Sequence, residues 1–136
     1  MKAGSRILAA ACIAEALTGV ALLMAPSFIA SILLGAELDA LTLVVGRIAG
    51  VALVALAIAC WPNPQLASRG AYAGMLLYNI LVPLLLADAA LDGAARSPWL
   101  WPTIILHGVM AMLLGGAWFT ARDNLSGRVR MSRREG

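Results

Sequence analysis

The sequence predicts an all-α polytopic membrane protein, a bundle of four transmembrane helices with both termini in the cytoplasm. Of its 136 residues, 62% are hydrophobic and only 12% are charged, and the mean hydropathy is +0.89. Soluble domains contain about 45–50% apolar and about 25% charged residues. The apolar residues form long runs that are comparable with the thickness of a bilayer. The length fits a single domain.

The first apolar run predicts a transmembrane helix over residues 7–24. A basic start before an apolar run also occurs in signal peptides, but Glu15 in the middle of this run is atypical of a signal. We therefore expect the helix to be retained. After Pro26 and Ser27, residues 27–35 predict a short helix lying in the membrane interface, because proline beside a capping side chain is typical of a helix start.

Three further helices follow from the breaks in the sequence. The second, over 41–60, ends at Trp-Pro-Asn-Pro because proline cannot continue a helix. The third, over 71–87, ends at two aspartates, and the fourth, over 101–120, begins at a proline-rich segment. Residues 121–136 contain five arginines and no apolar run. They are interpreted as a basic cytoplasmic tail.

The distribution of basic residues predicts the orientation. Lysine and arginine concentrate in cytoplasmic loops of membrane proteins. Here they occur in the N-terminal segment, in the second loop and in the tail, whereas the first loop has none and the third has only Arg96. Four crossings place the basic segments on one side. Both termini are therefore expected in the cytoplasm.

Each predicted transmembrane helix carries a polar side chain near its middle. With a rise of about 1.5 Å per residue, Glu15 lies at the centre of the first helix and Arg47 about 5 Å toward the outer side of the second. A charged side chain at the bilayer centre costs about 2.5–3.5 kcal/mol or more unless it is compensated. We therefore expect one buried polar layer, with Glu15 as the partner of Arg47. The polar layer comprises Glu15, Arg47, Tyr78, Asn79 and His107.

Glycine pairs predict the helix contacts. Gly46 and Gly50 flank Arg47, and Gly70 and Gly74 form a second small-xxx-small pair, which allows close approach of helix backbones. The sequence Gly-Val-Ala-Leu also occurs twice, at 19–22 and at 50–53. This similarity can reflect a short internal repeat. It can also arise by chance, because the chain is rich in alanine and leucine.

Three interpretations of the polar layer are open. It can be a buried ion pair that fixes helix register, although such a pair adds little stability. It can bind the polar end of a lipophilic molecule, such as a quinone or a lipid, with Arg47, His107 and Tyr78 as donors. It can belong to a proton or ion path, but no chain of carboxylates or histidines leads from it to either surface.

Other site chemistries find little support. No metal-ligand spacing is present, and one histidine cannot supply both axial ligands of a b-type haem. No catalytic residue is assigned, and whether the chain is an enzyme is left open. The arginine-rich tail is expected to contact anionic lipids and not nucleic acid.

Four segments resemble the DoxX-like group of small bacterial membrane proteins. They are Glu-Ala-Leu-Thr-Gly-Val-Ala-Leu-Leu-Met-Ala-Pro at 15–26, Gly-Arg-Ile-Ala-Gly-Val-Ala-Leu at 46–53, Tyr78-Asn79, and Trp-Pro-Thr-Ile-Ile-Leu-His at 101–107. The resemblance implies a four-helix bundle in the bacterial cytoplasmic (inner) membrane. It also implies an association with quinone-linked redox or sulfur metabolism, often as an accessory subunit.

These observations predict a small binding or accessory subunit that holds a lipophilic ligand or a partner helix. Alternatives are a subunit of a quinone-linked oxidoreductase, a small transporter and a purely structural subunit. The expected partners are membrane lipids and either a second membrane protein or further copies of the chain.

Overall fold

Every secondary-structure element in the part of the chain that the structure describes is an α-helix. This computed structural model describes residues 3–35, 37, 39–62, 69–93 and 95–132, with backbone only for residue 69 and residues 120–132. The helices are α1 (Ala3–Met24), α2 (Pro26–Leu34), α3 (Ala40–Ala59), α4 (Arg69–Leu91) and α5 (Leu100–Ser132).

Four of these helices, all except α2, are long and apolar enough to cross a membrane. The predicted all-α class with four spanning helices is therefore confirmed. The chain is a small multi-pass integral membrane protein. Which face of the membrane the termini occupy stays a prediction.

The short helix α2 begins and ends at residues suited to those positions. Pro26 occupies its first turn, where a missing N–H costs nothing. Gly35 ends the helix in the left-handed conformation, with φ of 68°, and its N–H donates to the Ser31 carbonyl at 3.1 Å. Glycine adopts this conformation without the steric cost of a Cβ.

Asp39 caps the start of α3. Its Oδ1 accepts a hydrogen bond of 2.7 Å from the Thr42 N–H, which satisfies one of the free donors of the first turn. Hydrogen bonds from the Thr42 side chain and main chain lower the pKa of the Asp39 carboxyl group.

The helix α5 is longer than the sequence pattern predicts. Its apolar part runs over Leu100–Phe119, but the helical backbone continues to Ser132. The prediction placed the end of the helix near residue 120, where the apolar run stops. Loss of hydropathy does not itself end a helix, since no proline follows and arginine is a good helix former.

α1 and α3 form one closely packed antiparallel pair. A Cβ at Gly19 would lie 2.7 Å from the Gly50 carbonyl oxygen, and a Cβ at Gly50 would lie 2.7 Å from the Gly19 carbonyl oxygen. Beyond the end of α1, Gly46 approaches Pro26 at the start of α2. The two Gly-Val-Ala-Leu segments therefore begin at the point where the helices cross. Only glycine permits backbones to approach this closely.

α4 and α5 form the second helix pair, and the two pairs meet in one core. We call this cluster the terminal core because it joins the beginnings of α1 and α4 to the end of α3 and the C-terminal half of the α5 span. Its members, all at most 4% exposed, are Leu8, Ala11, Cys12, Ala57, Cys60, Met75 and Leu114. We call this end of the bundle the terminal side and the opposite end the α2 side.

On the α2 side, α2 connects the two helix pairs through hydrogen bonds. The Arg96 N–H donates to the Leu34 carbonyl at 3.0 Å, and the buried Ser97 hydroxyl donates to the Ile32 carbonyl. Ser97 Oγ also accepts from the Trp99 N–H at 3.2 Å. The free carbonyls at the end of α2 are thus satisfied by the loop between α4 and α5.

Candidate functional site

Four polar side chains from α1, α4 and α5 meet inside the bundle. Glu15 and Asn79 are only 4% and 1% exposed, and Tyr78 and His107 are half-buried. Buried polar groups need hydrogen-bond partners, and here they supply them to one another. We call Glu15, Tyr78, Asn79 and His107 the polar cluster.

Asn79 holds the His107 ring in place. Its Nδ2 donates to the Met75 carbonyl at 2.9 Å, one turn back along α4, which assigns Oδ1 to the opposite side of the amide. That Oδ1 lies 3.0 Å from His107 Nδ1. Because a carbonyl oxygen can only accept, Nδ1 carries the hydrogen and donates it. In the neutral ring Nε2 is then an acceptor.

Glu15 completes the polar cluster from α1. The Tyr78 hydroxyl donates a hydrogen bond to the Glu15 carboxyl group. Glu15 Oε1 lies 4.0 Å from His107 Nδ1, and the side chains are 5% and 13% exposed, respectively. The Tyr78 and His107 rings meet edge to face, with centroids 5.7 Å apart and planes at 71°. An acid and a base therefore lie side by side, positioned by an amide and a phenol.

His107 Nε2 has no hydrogen-bond partner among the described residues. In the same part of the chain, no fully buried side-chain nitrogen or oxygen lacks a partner. Nε2 is therefore not sealed inside the protein. The polar cluster presents one free acceptor to whatever molecule lies beside it.

The residues next to the polar cluster differ in exposure between the terminal side and the α2 side. On the terminal side lies the terminal core, whose members are almost fully buried. One turn toward the α2 side from Glu15, Asn79 and His107 lie Thr18, which is exposed, and Pro83 and Thr103, which are half-buried. Thr18, Pro83 and Thr103 are thus less buried than the members of the terminal core.

Arg47 does not belong to the polar cluster. It is exposed, and among the described residues it makes no hydrogen bond or ion pair. The expected Glu15–Arg47 pair is therefore absent. On α3 the line of contact with α1 passes through Gly50, and Arg47 lies about 60° around the helix from it. Glu15 instead faces α4 and α5.

The predicted glycine pairs have unequal surroundings. Gly50 is buried at the crossing of α1 and α3, and Gly46 is half-buried beside Pro26. A Cβ added at Gly74 would lie 3.9 Å from Cys60 Sγ, which is an ordinary van der Waals distance. Gly70 is exposed.

The partner of Gly50, Gly19, was not among the predicted packing glycines. The repeated Gly-Val-Ala-Leu sequence was the available signal for Gly19.

No group of three or more histidine, cysteine, aspartate or glutamate side chains in the described part of the chain is arranged to hold a metal ion. Comparison with known protein families, curated proteins and solved structures finds no match for this chain. The fold and the polar cluster therefore define it by class, as a small multi-pass membrane protein with a polar cluster inside its helix bundle.

Proposed function

We propose that this protein binds the polar end of a lipophilic molecule at the polar cluster, as a small binding or accessory subunit. The observation that carries the proposal is the free Nε2 acceptor of His107 beside Glu15, an atom that the described residues do not fully bury. Ionisable side chains within membrane spans are usually functional, since they are costly to keep there. Entry from the lipid suits a ligand with a long apolar tail.

The hydrogen bonds inside the polar cluster favour a ligand that donates. His107 Nδ1–H is occupied by Asn79, and the Tyr78 hydroxyl is occupied by Glu15. The remaining groups, His107 Nε2 and the carboxyl oxygens of Glu15, accept hydrogen bonds when Glu15 is ionised. A quinol or another lipid alcohol can supply a hydroxyl to them, whereas the carbonyls of a quinone cannot.

The resemblance to DoxX-like proteins supports a role in quinone-linked metabolism, in which a quinol is the reduced carrier, and a bacterial inner membrane as the location. The arginine distribution supports cytoplasmic termini. In this role the chain holds the reduced, lipid-soluble molecule for a partner enzyme and needs no catalytic residue of its own.

We expect His107→Leu to weaken quinol binding roughly tenfold or more, because it removes the acceptor of one hydrogen bond, worth about 1–2 kcal/mol. The measurement is calorimetric titration of the purified protein in micelles with a benzoquinol that carries a short alkyl tail. The same titration uses the dimethyl ether of this quinol, which cannot donate and is expected to bind as weakly to the wild type as the quinol binds to the variant.

Thr42→Val is the matched control, since Thr42 is an exposed polar residue at the start of α3 and far from the polar cluster. It is expected to bind the quinol as the wild type does. Equal affinity of the wild type for the quinol and its ether would contradict the proposal, as would unchanged binding by the His107 variant.

A further inference from the structure

Arg47 is a cation on the outer surface of the bundle, within the membrane span. It lies about 4 Å from the middle of α3, toward the α2 side, and its side chain is exposed. Large apolar side chains surround it on the same exposed surface, among them Val44, Ile48 and Val51. Arginine stays protonated in proteins, so in lipid this group needs an anionic partner.

Asp88 is an anion on the outer surface of the other helix pair. It is exposed on α4 and flanked by exposed leucines, Leu81, Leu84, Leu85 and Leu91. Its carboxylate has no hydrogen bond or ion pair among the described residues. The chain therefore carries two opposite charges, each without a partner in that part of it and each set in an apolar surface.

The two charges lie at compatible depths. Asp88 is about 11 Å from the middle of the α4 span, toward the α2 side, so the two backbones differ by about 7 Å in level. Side chains lean toward the N-terminus of their own helix. Since α3 begins and α4 ends on the α2 side, the long Arg47 side chain leans toward the level of Asp88 and Asp88 leans toward that of Arg47.

One copy of the chain cannot join its own two charges. Cys60, which caps the end of α3, lies beside Gly74 of α4, and Arg47 lies about 140° around the α3 axis from Cys60. Asp88 lies about 180° around α4 from the buried Asn79. The two charged groups thus point outward on different sides of the bundle.

We propose that Arg47 of one copy pairs with Asp88 of a neighbouring copy within the membrane. The valine-rich surface of α3 around Arg47 then packs on the leucine-rich surface of α4 around Asp88. Because the two surfaces are different, the contact is head-to-tail, and such contacts close into rings when the rotation between copies allows it. Each copy in a ring has both of its charges paired.

The test is energy transfer between donor-labelled and acceptor-labelled full-length chains in lipid vesicles, at several ratios of protein to lipid. The wild type is expected to show transfer well above that of randomly mixed monomers. Arg47→Asp and Asp88→Arg each place like charges in the contact, and each variant alone is expected to associate roughly tenfold more weakly or worse.

A mixture of these two variants gives the decisive result. In the mixture, Asp at position 47 meets Arg at position 88, and the native Arg47 meets the native Asp88. The mixture is therefore expected to recover the transfer of the wild type, which also shows that both variants fold. Asp92→Arg, one turn beyond Asp88 and also exposed, is the matched control and is expected to associate normally.

Two results would overturn the proposal. If the wild type shows only the transfer of random monomers, Arg47 is compensated by lipid phosphate and not by another copy. If the wild type associates but the two single variants associate equally well, the copies meet through a different surface.

Discussion

Replacing Gly50 with valine is expected to lower the free energy of unfolding by about 2–3 kcal/mol. A Cβ at this position would lie 2.7 Å from the Gly19 carbonyl oxygen and 3.0 Å from the Leu23 backbone nitrogen. Both are backbone atoms, so they cannot move aside as a flexible side chain does. α1 and α3 must separate, and the packing between them is lost. Unfolding in mixed micelles with increasing denaturing detergent measures the change.

The matched control is Gly108→Val in α5, where an added Cβ meets no atom within 4 Å. It carries the same change in side chain and helix propensity without the close approach. We expect this control substitution to lower the free energy of unfolding by less than about 1 kcal/mol. If both variants lose equal stability, the crossing of α1 and α3 is not as close as described.

Replacing Asn79 with leucine is expected to cost about 1–3 kcal/mol and to change the tautomer of His107. The substitution removes the acceptor of the His107 Nδ1–H bond and leaves a buried polar group without its partner. Without Asn79 Oδ1, nothing holds the hydrogen on Nδ1. The histidine then adopts the Nε2–H form, which is the commoner one in solution, or a mixture of both.

Nitrogen-15 spectra of the imidazole ring at alkaline pH report this tautomer directly. His107 is the only histidine of the chain, so its signals need no assignment. Asn79→Asp is the matched variant, because it keeps an oxygen acceptor and is expected to keep the hydrogen on Nδ1. The described hydrogen bonds would be contradicted if His107 of the wild type carried its hydrogen on Nε2. They would also be contradicted if the Asn79→Leu variant kept the hydrogen on Nδ1.

The depth of residues along a helix could be predicted from the sequence, whereas their direction around the helix could not. Counting residues from the ends of each apolar run placed Glu15, Asn79 and His107 at similar levels, and these three lie together. The same counting placed Arg47 with them. Its direction depends on which side of α3 packs on α1, and that was decided by Gly50 opposite Gly19.

Small residues lie on more than one side of α3. Which of these sides packs on α1 can be decided only from the residues of α1 that face it. Gly46 and Gly50 were identified, but Gly19 was needed to show which of them lies at the crossing. The end of α5 was misplaced for a different reason. Hydropathy reports where a helix leaves the membrane, and hydrogen bonding of the backbone continues beyond that point.

The Gly19–Gly50 crossing has a consequence for how the chain tolerates sequence change. The contact between the two glycines is reciprocal, since the carbonyl oxygen of each occupies the space that a methyl group on the other would need. A first substitution that separates α1 and α3 also makes room for a second one opposite. The energetic costs of changes at the two positions are therefore coupled and sum to less than their separate values. The two glycines act as a single energetic unit shared by two helices.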